Sequence, residues 1–324
     1  MQLKITQAPW ARELISDSTD MDRAPLKLEP GAAPLTLELP DDVYYEYAFV
    51  DDAGQVRPDP QWPHVTKSIW YGTVNEVKGP AYRPDPLADV PAERATGALE
   101  RLRLQSEALD GTVRRAALYT PVGLDGAELP LVVVQDGVTF MRVGRIAAVQ
   151  EELLARGAAR PARILMIEPI DRLVEYAFND SYNAFVLEEL LPHVTALHPT
   201  APRRVWLGAS LGAQASAYLH AQTMGEEDVV VALSGAFLGA HGDHDHYRSS
   251  RSWLREWLAE RAAVPGRWFL DVGSLEWLHD INLEVAAALQ SKGADVSLNV
   301  RSAGHNWVAW RDALPAALRF ALRS

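Results

Sequence analysis

The spacing of apolar and polar positions divides the chain into two parts. Between Leu26 and Tyr82 the apolar residues fall in short runs, LTLEL, VYYEYAFVD and SIWYGTV, broken by PDD, DDAGQ and RPDPQWP. Runs rich in Val, Tyr and Thr and bounded by Pro, Gly and Asp are strand signals, so residues 1–85 are predicted to form a small all-β domain. The proline-rich stretch RPDPLADVPAERATG supplies a linker over residues 86–97, because Pro and polar residues interrupt both helix and strand periodicity.

From residue 98 to 324 apolar runs alternate with amphipathic segments. LERLRLQSEA and TVRRAALYTP read as an opening hairpin, and the nearly unbroken LPLVVVQ reads as a parallel strand covered on both faces. ARILMIE, RRVWLG, DVVVALS, RWFLDVG and DVSLNV are further strand candidates. Between them GRIAAVQEELLARG, FVLEELLPHVTAL, LGAQASAYLHAQ and LEVAAALQSKG carry apolar residues at three- and four-residue spacing, the helical period. Strands alternating with helices predict an α/β fold with a mostly parallel central sheet and helices on both of its faces.

Composition narrows the chemistry. The chain has 324 residues, 48% of them hydrophobic, enough for a sizeable core. A net charge of -12 argues against a phosphate-tracking surface, so no nucleic-acid partner is expected. There is no cysteine, which excludes thiol nucleophiles and cysteinyl metal sites. The opening MQLKITQAPWARELISDSTD lacks a basic segment followed by an apolar run, and no later stretch is long and apolar enough for a membrane span. A cytoplasmic protein without a membrane partner is the expectation.

Gly208-Ala209-Ser210-Leu211-Gly212 is a GxSxG sequence that follows the strand candidate RRVWL and opens a helix. That context is the nucleophile elbow of α/β hydrolases, in which a sharp strand-to-helix turn exposes the serine oxygen. A serine hydroxyl is a weak nucleophile and needs a base and an orienting acid. His305, in SAGHNWVAWR after the last strand candidate, is placed for the base. Glu276, in the loop past Gly273, is favoured as the acid, with Asp280 as the alternative; Asp271 falls inside the strand.

The oxyanion that forms during acyl transfer requires backbone N–H donors. Leu211, directly after the nucleophile, is one candidate, and Val138 in the loop Gln135-Asp136-Gly137-Val138-Thr139-Phe140 is the other. Phe140, Trp277, Trp307 and Trp310 lie in the same loops and are candidates for packing a flat substrate group, while Arg172 is a candidate for a polar or anionic one. HGDHDH, His241 to His246, invites a metal reading, but its spacing fits neither HExxH nor a two-helix site. It is read as a polar loop bordering the site, and neither metal nor cofactor is called for.

QDGVTF, DRLVEYAFNDSYNAFVLEELLPHV, GASLGA, GSLE and AGHNWVAWRDALPAAL together resemble the enterochelin esterase (Fes-like) branch of the esterase D family, within the α/β-hydrolase superfamily and related to feruloyl esterases and mycolyltransferases. The resemblance covers most of residues 98–324. It implies Ser210 as nucleophile, His305 as base, Glu276 as acid, and Val138 and Leu211 as oxyanion donors. It also implies that the N-terminal segment is an immunoglobulin-like domain similar to glycan-binding modules, shorter here than the family's form. The implied substrate is a small-molecule ester, a catecholate siderophore trilactone such as enterobactin or its ferric complex. A feruloyl- or acetyl-type carbohydrate esterase, an acyltransferase and a binding protein that kept the fold without its chemistry are the competing readings.

Overall fold

The computed structural model describes residues 1–29, 31–243 and 249–323. The chain separates into two compact units, one of Met1–Pro84 with Val272–His279 and Val300–Ala309, the other of Asp85–Asp271, Asp280–Asn299 and Trp310–Ser324.

In the first unit the N-terminal segment is all-β. Strands β1 (Gln2–Ile5) and β4 (Leu35–Glu38) pair with each other, and β2 (Ala11–Ser16), β3 (Leu26–Lys27), β5 (Tyr44–Asp51), β6 (Val56–Arg57), β7 (Val65–Ser68) and β8 (Gly72–Lys78) form an antiparallel sheet in the order β3-β2-β5-β8-β7, with β6 on β5. The Tyr-rich run predicted as a strand is β5, the central strand, buried along most of its length. Tyr45, Tyr47 and Phe49 pack with Leu3, Leu14 and Val77 into a core that Leu275, from the other end of the chain, also joins.

In the second unit β9 (Ala98–Ser106), β10 (Thr112–Thr120), β11 (Leu129–Val134), β12 (Arg163–Ile167), β13 (Thr200–Ala209), β14 (Val229–Leu233), β15 (Arg267–Gly273) and β16 (Asp295–Arg301) form one sheet in the order β16-β15-β14-β13-β11-β12-β10-β9. β9 and β10 are the expected hairpin, and β11 to β15 are mutually parallel where they pair. Both β12 and β14 are buried throughout, which explains their unbroken apolar sequence. The helices between the strands include α1 (Gly137–Arg142), α2 (Ile146–Ala155), α3 (Arg172–Glu175), α4 (Asp180–Ala184), α5 (Leu191–Leu197), α6 (Leu211–Thr223), α7 (Trp253–Ala259), α8 (His279–Ser291) and α9 (Trp307–Ala321).

The stretch expected as a linker is tied down. It forms two short 3-10 helices, Pro86–Asp89 and Ala92–Arg94, with Asp89 held 2.9 Å from Arg145 and Arg94 paired with Glu152 of α2. The segment predicted as one helix, FVLEELLPHVTAL, is a π-helical turn over Phe185–Leu190 that runs into α5, whose first turn holds Pro192.

Candidate active site

Ser210, between β13 and α6, turns the chain with φ 55° and ψ -123°. A non-glycine residue there is strained by about 1–3 kcal/mol and persists only where its neighbours hold it. Ser210 N–H donates to Leu233 O at 2.9 Å, and its carbonyl accepts from Ala213 at 3.0 Å, Ala236 at 3.1 Å and Gln214 at 3.2 Å. Of the flanking glycines, Gly208 is sterically required and Gly212 is closely packed. A Cβ on Gly208 would lie 2.2 Å from the Gly212 carbonyl carbon, and one on Gly212 would press on Asp136 Oδ2 at 3.0 Å.

Asp136 itself is in the left-handed region, with φ 55°, at the end of β11. Its N–H donates to Tyr176 Oη at 2.8 Å, and its carboxylate accepts from Arg172 Nε at 3.0 and 3.1 Å. Arg172 also donates through Nη2 to Ala209 O at 3.1 Å, so its guanidinium fastens the QDG loop to the residue before Ser210. Burial raises the Asp136 carboxyl above the usual range, against the lowering effect of Arg172. Gly137 admits no side chain, since a Cβ would stand 2.4 Å from Met166 Cβ. The N–H of Val138 donates to Glu168 Oε2 at 3.0 Å. Leu211 is the first residue of α6 and fully buried.

The acid and histidine loops belong to the first unit. They are zipped together by Ser274 N–H to Arg301 O at 2.8 Å and Leu275 N–H to Ala303 O at 3.1 Å. Glu276, 5% exposed, accepts from Gly273 N–H at 2.7 Å through one oxygen and pairs with His305 Nδ1 through the other. A carboxylate so held fixes the ring orientation and leaves Nε2 as the nitrogen able to take a proton. Of the two acids weighed from the sequence, Glu276 holds the histidine, while Asp280 lies in the first turn of α8.

Around His305 the structure places Trp277, singled out in the sequence, together with several residues that carry no signal there. Trp277 packs on the imidazole with ring centroids 4.5 Å apart, and Trp70 stacks on it at 6.4 Å. The Trp277 backbone N–H donates to Asp20 at 3.0 Å, and the Arg23 guanidinium lies over the indole, 4.4 Å from its ring centroid. Next to the histidine, Asn306 donates to the buried Asp17 at 3.3 Å and accepts Ala309 N–H at 2.8 Å, capping α9. Asp17 also accepts Glu46 N–H at 2.7 Å. Burial, and then the charge of Glu46, hold the Asp17 carboxyl well above the carboxylate range, and burial pushes Glu46 up to about 7.

Two of the aromatic candidates are core residues. Phe140 and Trp310 are each 1% exposed, and the Trp310 indole donates to Ser234 Oγ at 2.8 Å. Trp307 is 7% exposed, and Trp277 is partly exposed against His305. The His-rich loop lies partly outside the described residues, at His244, Asp245 and His246; His241 is placed, with Nε2 3.0 Å from Tyr218 Oη. Among the described residues no group of His, Asp and Glu side chains is arranged to hold a metal ion.

A family model described as "Putative esterase" matches residues 106–321. The iron(III) enterobactin esterase of Dickeya dadantii (strain 3937) is 28% identical over 233 residues, 67% of this chain and 53% of that protein. The chain thus aligns with about half the length of that relative. Among solved structures, the enterobactin esterase FES from Shigella flexneri matches with a TM-score of 0.75 at 22% identity, over 99% of this chain and 92% of that one. The ferric enterobactin esterase from Salmonella typhimurium matches with a TM-score of 0.78 at 20% identity, again over 99% and 92%. A ferulic acid esterase covers 70% of this chain and 98% of its own, with a TM-score of 0.60 at 20% identity. These likenesses establish the fold as an α/β hydrolase preceded by an all-β segment.

Proposed function

Because the chain belongs to the family described as "Putative esterase", whose model spans residues 106–321, we propose that it hydrolyses carboxylic esters through an acyl-enzyme on Ser210. In this reading His305 Nε2 takes the Ser210 proton as Oγ bonds to the ester carbonyl carbon. The C–O bond of the leaving alcohol then breaks, and the imidazolium returns its proton to that oxygen. Water repeats the sequence on the acyl-enzyme and releases the acid. Glu276 stabilises the imidazolium that forms between the two transfers.

Leu211 and Val138 are the proposed oxyanion donors. The Leu211 amide opens a 13-residue helix, where N–H groups lack intrahelical partners. The Val138 amide donates to Glu168, so a substrate carbonyl using it would replace that carboxylate.

The observation that carries the reading is the Ser210 elbow. Strained backbone, a Gly208 that admits no Cβ, a closely packed Gly212 and a helix starting at the next residue serve no packing purpose that an ordinary turn would not meet. The substrate proposed is a siderophore trilactone of the enterobactin type, free or as its ferric complex. That choice over a feruloyl ester rests on the extent of the likeness: the enterobactin esterases match 99% of the chain, N-terminal β segment included, and the ferulic acid esterase 70%. No helix among the described residues is long and apolar enough to cross a membrane.

The test compares the chain with its Ser210→Ala variant, using a fluorophosphonate probe, p-nitrophenyl butyrate and enterobactin. Labelling and turnover should vanish in the variant. Turnover that persists in it would refute the mechanism, and wild-type turnover of the nitrophenyl ester without enterobactin cleavage would refute the substrate.

A further inference from the structure

Beside the QDG loop, on the side of the sheet formed by β9, β10 and β12, is an open hollow of about 620 Å³, within the range of small-molecule sites. Its lining is unusual for this chain. Acidic residues outnumber basic ones in the sequence by 43 to 31, yet the hollow presents Arg101, Arg103, Arg115 and Arg142 and a single carboxylate, Glu168.

The strand register makes the concentration of charge plain. Arg115 of β10 is paired directly with Arg103 of β9, and Ala117 with Arg101. Side chains two apart on a strand share a face, so three guanidinium groups project from one patch of the hairpin. Like charges directly opposite one another on neighbouring strands are destabilising unless something between them is negative. Among the described residues none of the four makes an ion pair, and all four are exposed. Arg114, one residue away and on the other face, shows the contrast: it is buried in a two-pronged bond with Glu175, at 2.7 Å on both sides. Glu168 offsets only part of this charge: its carboxylate, which accepts the Val138 N–H, is attracted to Arg142, and it is the one acidic group lining the hollow against four guanidinium groups.

The floor between the arginines is apolar, including Leu99, Ala117 and Met166. Guanidinium groups bind oxyanions through parallel N–H donors and also stack on aromatic faces. A cationic rim over an apolar floor therefore suits a flat ring that bears negative oxygens, and suits a neutral aliphatic acyl group poorly. Val138, the proposed oxyanion donor, lines the same hollow, so an occupant would lie beside that residue.

We propose that this hollow binds the anionic aromatic group of the ester substrate, a ring with adjacent oxyanions such as a metal-bound catecholate, through Arg101, Arg103, Arg115 and Arg142. The proposal rests on the esterase reading above and adds to it which residues select the substrate. It makes the arginines specificity determinants and gives the β9–β10 hairpin a role in recognition.

The test measures kcat/KM for ferric enterobactin and for p-nitrophenyl butyrate in the wild type, in Arg103→Gln/Arg115→Gln and in Arg142→Gln. It also measures binding of ferric enterobactin to the same variants on a Ser210→Ala background, by calorimetric titration. The ratio of the two kcat/KM values should fall about tenfold for each charge-assisted hydrogen bond removed, affinity should fall in step, and the salt dependence of binding should weaken. Lys4→Gln, the same loss of charge at an exposed position of β1, should leave the ratio unchanged. Unaltered ratio and affinity in both arginine variants would overturn the proposal while leaving Ser210 chemistry intact. Failure of the wild type to bind ferric enterobactin would also overturn it, and absent Ser210 labelling would mark the separate failure of the esterase reading.

Discussion

Asn306 donates its side-chain amide to the buried carboxylate of Asp17, 3.3 Å away and 289 residues earlier in the chain. Through the same side chain it accepts the N–H of Ala309, so the residue after His305 is fixed at once to the β segment and to the start of α9. Gly304, before the histidine, completes the seat, because a Cβ there would stand 2.2 Å from Asp17 Cγ. Gly304→Ala should therefore push the histidine loop off its position. We expect kcat on p-nitrophenyl butyrate to fall by about tenfold or more, since small misplacement of a catalytic group is costly. Asn306→Ala should act in the same direction, with its effect in kcat rather than KM, and a normal kcat in both variants would show that Asp17 only fills space.

The carboxylates beneath this loop give the protein a pH-dependent stability of unusual sign. Glu46, pushed up to about 7 by burial against an ordinary value of 4.5, keeps its proton in the folded state where the unfolded chain has lost it. With more protons bound in the folded state, stability falls as pH rises from about 4.5 to about 7. Asp17, raised chiefly by burial and by Glu46, acts in the same direction, with Glu76 adding repulsion on Glu46 and Tyr44 donating to it at 3.0 Å. Glu46→Gln should flatten the decline and raise the urea midpoint at about pH 8 relative to wild type, while at about pH 5 the two should be close. A midpoint lowered equally at both pH values would contradict this assignment.

Glu276 can be tested through the tautomer it enforces. In Glu276→Gln the amide oxygen can still accept from Gly273, which turns the NH2 group toward His305 Nδ1. The imidazole then carries its proton on Nε2 and cannot act as a base there. Loss of kcat by about 10²–10⁴-fold is expected, the range seen when a triad acid is made neutral. Asp280→Ala should change kcat by less than about threefold. If the two variants are affected equally, the acid is shared.

The local features of the site were legible in the sequence because each is written within a few residues. The elbow needs only GxSxG between a strand and a helix, and the loop carrying Glu276 is recognisable by its place after Gly273. The hairpin and the buried parallel strands followed from periodicity in the same way. What escaped depends on pairings between distant segments. Nothing near Asp17, Asp20 or Trp70 marks them as neighbours of a histidine more than 200 residues later. Phe140 and Trp310 were misjudged for the opposite reason: lying in a functional loop does not say which way a ring points, and both point into the core. The arginines of the β9–β10 hairpin look like solvated strand residues until the register puts Arg103 opposite Arg115.

The buried pair Arg114–Glu175 permits stability to be separated from function. Glu175 is the last residue of α3, the short helix that also carries Arg172, and it accepts weakly from the Ile170 and Asp171 amides as well as from Arg114. Removing one member leaves an uncompensated buried charge, so Glu175→Ala should destabilise the protein by about 3–5 kcal/mol in urea unfolding. Replacing both, as Arg114→Met/Glu175→Leu, should recover most of that loss, because a well-packed apolar pair often matches a buried ion pair. Activity need not recover with it. Without the carboxylate that gathers the start of α3, Arg172 is less firmly aimed at Asp136 and Ala209, and the QDG loop loses its clamp to the nucleophile strand. We therefore expect the double variant to unfold near the wild-type midpoint while its kcat stays depressed by several-fold. Full recovery of both would assign the ion pair to folding alone.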